Sequence, residues 1–77
     1  GTVTDVRLIL KTALDRMATQ LILCHNHPSG NLQPSKEDIN ITHKIYEAGK
    51  LLDVQLLDHI IVSATGYYSL ADNGLLG

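Results

Sequence analysis

The amino-terminal part of the chain carries an apolar pattern with the spacing of one helix face. Hydrophobic residues recur at i, i+3, i+4, i+7, i+8 and i+11, namely Val6, Ile9, Leu10, Ala13, Leu14 and Met17. Before them, Thr2-x-x-Asp5 has the loose form of a capping box. The pattern therefore predicts an amphipathic helix that starts between Val3 and Val6 and ends near Ala18.

A short apolar run and a second helical pattern follow. Residues 21–24 (Leu-Ile-Leu-Cys) are too few for a helix and are typical of a buried strand. Turn-forming residues fill positions 26–34, and Ser35-x-x-Asp38 then has the form of a second capping box. Four residues after it are spaced as the inner face of a helix: Ile39, Thr42, Ile45 and Tyr46. Gly49 is the predicted stop of this helix.

The last third of the chain favours strands. Residues 54–57 and 59–63 are strand-like, Thr65-Gly66 is a turn signal, and residues 67–70 predict a third short strand. The tail, residues 71–76, is predicted to pack as a helical turn. Helix, strand, helix and strands in this order predict one α/β domain over residues 1–77, in which helices cover a sheet.

Composition narrows the classes of function. Hydrophobic residues make up 44% of the 77 positions and the formal net charge is −2, as in ordinary soluble domains. The six basic residues form no stripe, so direct binding of DNA or RNA is disfavoured. No apolar run approaches the roughly 20 residues of a membrane span. A single cysteine, Cys24, cannot form an intrachain disulfide. We expect a cytoplasmic protein that does not contact a membrane.

The densest chemistry lies at the end of the first predicted strand. Residues two apart on a strand point to the same side, so His25 and His27 can aim both imidazoles at one point. Asp38 falls in the first turn of the following helix, where a carboxylate is favoured. Two imidazoles and one carboxylate are the three protein ligands of hydrolytic Zn²⁺ sites, which keep a fourth position for water. The spacing therefore predicts a zinc site.

A zinc hydrolase also needs an oxyanion donor and a general base. Ser35 would lie beside the site and offers its hydroxyl or its backbone N–H to an oxyanion. Glu37 would point about 100° away from Asp38 around the helix, and Glu47 would lie roughly 13 Å along its axis. Neither glutamate suits the role of base. We therefore expect the base to precede Gly1 and the chain to be truncated at its amino terminus.

The run from Cys24 to Asp38, with Leu57-Asp58-His59-Ile60-Ile61 and Tyr68-Ser69-Leu70, resembles the RadC family of JAMM (MPN-type) metalloprotease-like proteins. The resemblance covers essentially the whole chain. It implies a JAMM/MPN, cytidine-deaminase-like fold in which helices flank a central mixed sheet. It also implies Zn²⁺ on His25, His27 and Asp38, a catalytic Ser35, and a glutamate on an early strand upstream of Gly1. The implied reaction is hydrolysis of a peptide or isopeptide bond in a peptide or protein substrate.

A second hypothesis is a catalytically silent interaction module that associates with DNA repair or recombination proteins. Members of the family are often labelled DNA repair proteins, but no residue here supports that label independently. Loss of upstream strands would leave a sheet edge uncovered, and such edges pair with other chains. We therefore also predict a homo-oligomer formed through this edge.

Each motif residue also has an ordinary structural explanation. Ser35 is a good helix N-cap, and Asp38 is its natural partner in a capping box. For His59 we favour a structural hydrogen bond near the site over metal ligation. His43 is predicted to be exposed on its helix. Cys24 alternates with His25 along the strand, and we predict that it is a small core residue.

Overall fold

The computed structural model describes residues 5–77, which form two helices and a three-stranded mixed sheet. In chain order the elements are α1 (Val6–Asp15), β1 (Gln20–Asn26), α2 (Lys36–Leu51), β2 (Gln55–Ser63) and β3 (Gly66–Ser69). The strand order is β1-β2-β3, with β1 parallel to β2 and β2 antiparallel to β3. This is the α/β class that the sequence predicts, with the mixed sheet of a JAMM/MPN-like fold.

The core forms where both helices meet one face of the sheet. Its centre is a cluster of one residue from each of four elements: Leu10 of α1, Leu23 of β1, Ile45 of α2 and Leu56 of β2. Leu76 of the tail packs against this cluster, as the prediction of a packed tail requires. Among residues 5–77 both helices lie on the same face, so residues of the opposite face, such as Ile22 and Tyr67, are exposed.

Helix α1 begins at Val6, within the predicted range, but ends earlier than predicted. Asp5 is the N-cap, and its carboxylate accepts from the backbone N–H of Arg7 at 3.0 Å. The predicted partner, Thr2, lies outside the described residues. The predicted end near Ala18 is wrong, because residues 16–18 form the cap of a helix that ends at Asp15. Met17 is therefore 88% exposed instead of lying on the apolar face.

The prediction that α2 stops at Gly49 is also wrong, because the helix continues to Leu51. Gly49 is buried, and a Cβ at this position would overlap the backbone carbonyl oxygen of Val54. The glycine therefore allows the chain after the helix to fold back closely. The four predicted inner residues of α2 are buried or half-buried, which confirms its apolar face.

The two strand-like runs predicted around Asp58 form one continuous strand, β2. Its pairing with β1 shifts register: Leu21 is opposite Leu56, but Ile22 is opposite Asp58. The extra residue turns His59, rather than Asp58, to the side that Leu23 shares with the helices. His59 is consequently fully buried at the middle of the strand.

The prediction that Cys24 is a small core residue is also wrong. The cysteine does face away from His25, but it is exposed there rather than in the core. Within the described residues, no helix is long and apolar enough to span a membrane.

Candidate metal centre

Strand β1, helix α2 and the loop between them bring the predicted metal ligands together. His25 is in β1, and His27 immediately follows the strand. The backbone N–H of His27 donates to the carbonyl of Val62 at 2.9 Å, so the extended pairing with β2 continues to this residue. Both imidazoles therefore keep the common side that alternation gives. Asp38 lies in the first turn of α2, which the loop after His27 returns to the strand end.

The distances within the triad have the scale of a metal site. The Nε2 of His25 lies 3.4 Å from one Asp38 carboxylate oxygen, and the Nε2 of His27 lies 3.3 Å from the other. The ligand atoms of the three residues all lie within 4.8 Å of one another. Two ligand atoms about 2.1 Å from one tetrahedral ion are roughly 3.4 Å apart. The His25, His27 and Asp38 side chains thus form a candidate metal-binding triad.

The second nitrogen of His27 has a fixed partner. Its Nδ1 lies 2.8 Å from the backbone carbonyl oxygen of Asn31, which can only accept a hydrogen bond. Nδ1 must therefore carry the proton, and the Nε2 of a neutral His27 presents a lone pair to the Asp38 carboxylate. A cation placed between this Nε2 and the carboxylate oxygen, which are 3.3 Å apart, would be bound by both atoms.

His25 is supported by a buried side chain rather than by the backbone. Its Nδ1 lies 2.9 Å from the Nε2 of His59, whose own Nδ1 lies 2.6 Å from the Thr42 hydroxyl. Thr42 donates in turn to the backbone carbonyl of Asp38 at 2.6 Å. The expected structural hydrogen bond of His59 is therefore present. Thr42 was predicted only as a member of an apolar face, although its position four residues after Asp38 is the spacing of such a back-bond.

Asp38 is held by the capping box as well as by the site. The Ser35 backbone N–H donates to Oδ2 of Asp38 at 2.8 Å, and the Asp38 N–H donates to Oγ of Ser35 at 3.0 Å. Burial acts to raise the pKa of Asp38, but these hydrogen bonds and the two nearby imidazoles outweigh burial and lower the pKa below its usual value. The carboxylate is thus kept ionised and oriented for a cation.

The electrostatics of His59 differ from those of Asp38. Burial of the ring lowers the pKa of His59, and the nearby imidazole of His25 lowers it further. The carboxylates of Asp38 and Asp58 act in the opposite direction but do not compensate. His59 is therefore neutral near pH 7, with one ring nitrogen as a donor and the other as an acceptor.

Other predicted residues fall outside the triad. His43 is exposed on α2, as predicted. Glu37 is exposed, and Glu47 lies 3.8 Å from Lys50 in a surface pair. Of the His, Cys, Asp and Glu residues in positions 5–77, only His25, His27 and Asp38 are grouped closely enough to hold an ion.

Comparison with known proteins shows the family of this chain. A family model described as a RadC-like JAB domain matches residues 1–75. This chain belongs to that family. The RadC resemblance of the sequence is therefore confirmed, and so is the fold class that it implies.

Relatives of this RadC-like JAB domain include several bacterial proteins named UPF0758. One from Flavobacterium johnsoniae is 57% identical over 75 residues, which are 97% of this chain and 33% of that protein. One from Clostridium botulinum strain Alaska E43 is 51% identical over 70 residues, covering 91% of this chain and 31% of the relative. One from Porphyromonas gingivalis is 47% identical over 76 residues, covering 97% of this chain and 34% of the relative. The chain thus spans about a third of the length of these curated relatives.

Proposed function

We propose that this domain is the zinc centre of a hydrolase that cleaves peptide or isopeptide bonds. The ligands would be the Nε2 atoms of His25 and His27 and a carboxylate oxygen of Asp38. The supporting observation is that the Nε2 atoms of His25 and His27 lie 3.4 and 3.3 Å from the two oxygens of the Asp38 carboxylate. Three protein ligands are the number that a hydrolytic zinc site uses when its fourth position holds water. A bound Zn²⁺ would lower the pKa of a water molecule and polarise the substrate carbonyl.

Ser35 is the proposed oxyanion donor. Its backbone N–H already donates to Asp38, so of the two donors that the sequence offered only the hydroxyl is available. Oγ accepts from the Asp38 N–H, which leaves the hydroxyl proton free to point at an oxyanion beside the metal. The side chain is exposed, and a substrate can reach it.

The general base is proposed to come from a carboxylate outside residues 5–77. Within that range, neither Glu37 nor Glu47 joins the triad. A base must lie within hydrogen-bond reach of the attacking water, directly or through one water. The RadC resemblance implies a glutamate on an earlier strand, which would meet this requirement.

Metal analysis of the whole protein tests the ligand set. We expect one zinc per chain in the wild type and loss of zinc in His25→Ala and Asp38→Ala, measured by mass spectrometry of the metal after dialysis. His43→Ala is the matched control, because His43 is an exposed histidine of α2 outside the triad. Equal zinc content in all four proteins would contradict the proposal.

The second candidate, an interaction module without catalysis, is favoured by the lack of a glutamate beside the triad within residues 5–77. Hydrolysis assays on the zinc-loaded whole protein, with peptide and isopeptide-linked substrates, separate the two. Cleavage that disappears in His25→Ala would eliminate the silent module. Zinc binding without cleavage of either bond type would favour it.

A further inference from the structure

A buried line of hydrogen bonds continues behind His25 into the core. It runs from the His25 ring through His59 and the Thr42 hydroxyl to the backbone carbonyl of Asp38, with contacts of 2.9, 2.6 and 2.6 Å. His59 and Thr42 are both 0% exposed. The line therefore begins at one candidate ligand and ends at the backbone of another, and water does not reach its two middle members.

The direction of each proton along this line follows from the last acceptor. The carbonyl of Asp38 can only accept, so the single hydroxyl proton of Thr42 is given to it. The Thr42 oxygen must then accept from His59, which places the ring proton of His59 on Nδ1. Nε2 of the neutral His59 is left as an acceptor, and the 2.9 Å contact requires a proton on Nδ1 of His25. Nε2 of His25 is thereby left with its lone pair toward Asp38.

We propose that Thr42 and His59 are positioning residues that hold His25 in the tautomer and ring orientation needed for metal ligation. The proposal rests on the zinc site proposed above but concerns residues that do not touch the ion. The two histidine ligands differ in this respect. His27 is fixed by a backbone carbonyl, which side-chain substitution leaves in place, whereas His25 depends on two replaceable side chains.

Thr42→Val is the sharpest test, because valine keeps the shape of threonine and removes only the hydroxyl. Without that acceptor, a proton on Nδ1 of His59 is buried and unpaired. The proton then favours Nε2 of His59, which donates to Nδ1 of His25 and moves the His25 proton to Nε2, the atom that must bind metal. Thr42→Ser keeps the hydroxyl and should restore the wild-type arrangement.

The first readout is the tautomeric state of the metal-free whole protein, measured by nitrogen-15 NMR of the imidazole rings. We expect Nδ1–H for both His25 and His27 in the wild type. In Thr42→Val we expect a shift of His25 toward Nε2–H with His27 unchanged. A His25 tautomer that is Nε2–H in the wild type, or that Thr42→Val does not change, would overturn the proposal.

The second readout is zinc affinity, measured by competition with a chromophoric chelator. Loss of a residue that orients a ligand lowers metal affinity about 10- to 100-fold, and we expect this for Thr42→Val but a change of less than about threefold for Thr42→Ser. Thr12→Val is the control for removing a back-bonded threonine hydroxyl, because Thr12 makes the same back-bond in α1, to the carbonyl of Leu8 at 2.9 Å, and is not part of the buried line.

Failure of the two proposals can be distinguished. A wild-type protein that binds no zinc refutes the metal site, while the metal-free NMR measurement still decides the tautomer of His25. Zinc binding with equal affinity in wild type and Thr42→Val refutes the positioning role and leaves the metal site intact. Circular dichroism of each variant confirms that the fold is retained before either comparison.

Discussion

At the scale of single residues, Ser35 has a structural role as a helix cap and a proposed catalytic role. Its Oγ caps α2 by accepting from the Asp38 N–H, and its hydroxyl proton is the proposed oxyanion donor. Substitution by alanine should lower the free energy of unfolding by about 1 kcal/mol, whereas glycine, itself a fair N-cap, should cost only a few tenths. Chemical denaturation of the two variants measures this difference.

The same two variants separate capping from chemistry. Both lack the hydroxyl, so both should lower kcat by about 100- to 1,000-fold if it stabilises an oxyanion, whatever their stabilities. Zinc content should not change, because Ser35 is not a ligand. Full activity in Ser35→Gly would show that Ser35 acts only through the helix cap.

The lowered pKa of His59 predicts a pH dependence of stability for the metal-free protein. In the unfolded chain His59 has its ordinary pKa of about 6.5, whereas in the folded protein its pKa is lower. Below pH 6.5 the unfolded chain therefore binds more protons than the folded protein, and the free energy of unfolding decreases as the pH falls. The loss between pH 7.5 and 5.5 should be at most about 1.4 kcal/mol. The lowered pKa of Asp38 acts only at lower pH, below about 3.8.

Denaturation of the wild type and of His59→Gln at pH 7.5, 6.5 and 5.5 measures this contribution. The difference in free energy of unfolding between the two proteins should shrink toward pH 5.5, because glutamine does not titrate. A difference that stays constant over this range would contradict the assignment of the slope to His59.

At the scale of elements, both helices end in a Schellman motif whose left-handed position is not glycine. After α1, the N–H of Ala18 donates to the carbonyl oxygen of Ala13 at 2.9 Å, and Met17 has a φ of 54°. After α2, the N–H of Val54 donates to the carbonyl oxygen of Gly49 at 2.8 Å, and Asp53 has a φ of 57°. The motifs explain why apolar spacing alone overestimated the end of α1.

Met17→Gly should therefore stabilise the protein. Glycine adopts a positive φ without the steric cost of a side chain, and after its larger entropy in the unfolded chain is subtracted we expect a gain of about 0.5–1 kcal/mol. Leu8→Gly is the matched control, because Leu8 is an exposed position inside α1, where glycine should cost about 1 kcal/mol. Thermal unfolding of both variants should give opposite signs, and a loss of stability in Met17→Gly would contradict this account.

At Gly49 we expect alanine to be less stable than glycine, the reverse of ordinary helix propensity. Alanine is usually better than glycine inside a helix by about 1 kcal/mol, but a Cβ here would overlap the carbonyl oxygen of Val54. Gly49→Ala should therefore destabilise by roughly 1–3 kcal/mol, the cost of overpacking. Lys44→Ala, at an exposed position of the same helix, should change the unfolding free energy little. Equal stability of both variants would show that the turn after α2 relaxes easily.

The sequence predicts those parts of the site that depend on local spacing. Alternation along a strand and the position of the first helical turn are enough to predict that His25, His27 and Asp38 lie together. The contact between Thr42 and His59 joins residues 17 positions apart and depends on a register shift between β1 and β2. Hydrophobic periodicity does not predict such a register shift. For Cys24, periodicity predicts the correct face of the strand but not whether the residue is buried there.

At the scale of the whole molecule, β1 lies at one edge of the sheet as residues 5–77 define it. One side of its backbone pairs with β2, and its outward face carries Ile22, 56% exposed, and the exposed Cys24. An unpaired strand edge next to exposed apolar side chains is a template for another strand. We therefore expect the 77-residue chain by itself to self-associate, with two β1 strands pairing about a twofold axis.

Light scattering after size-exclusion chromatography, over a range of protein concentrations, measures this association. The wild type should shift from monomer toward dimer as concentration rises. Ile22→Lys should remain monomeric, because a charged side chain on an edge strand opposes pairing. Leu51→Lys is the control: Leu51 is 87% exposed but lies at the end of α2 rather than on β1, so this variant should dimerise as the wild type does. If Leu51→Lys abolished association and Ile22→Lys did not, the interface would involve the helical side of the molecule, and β1 would not be the contact.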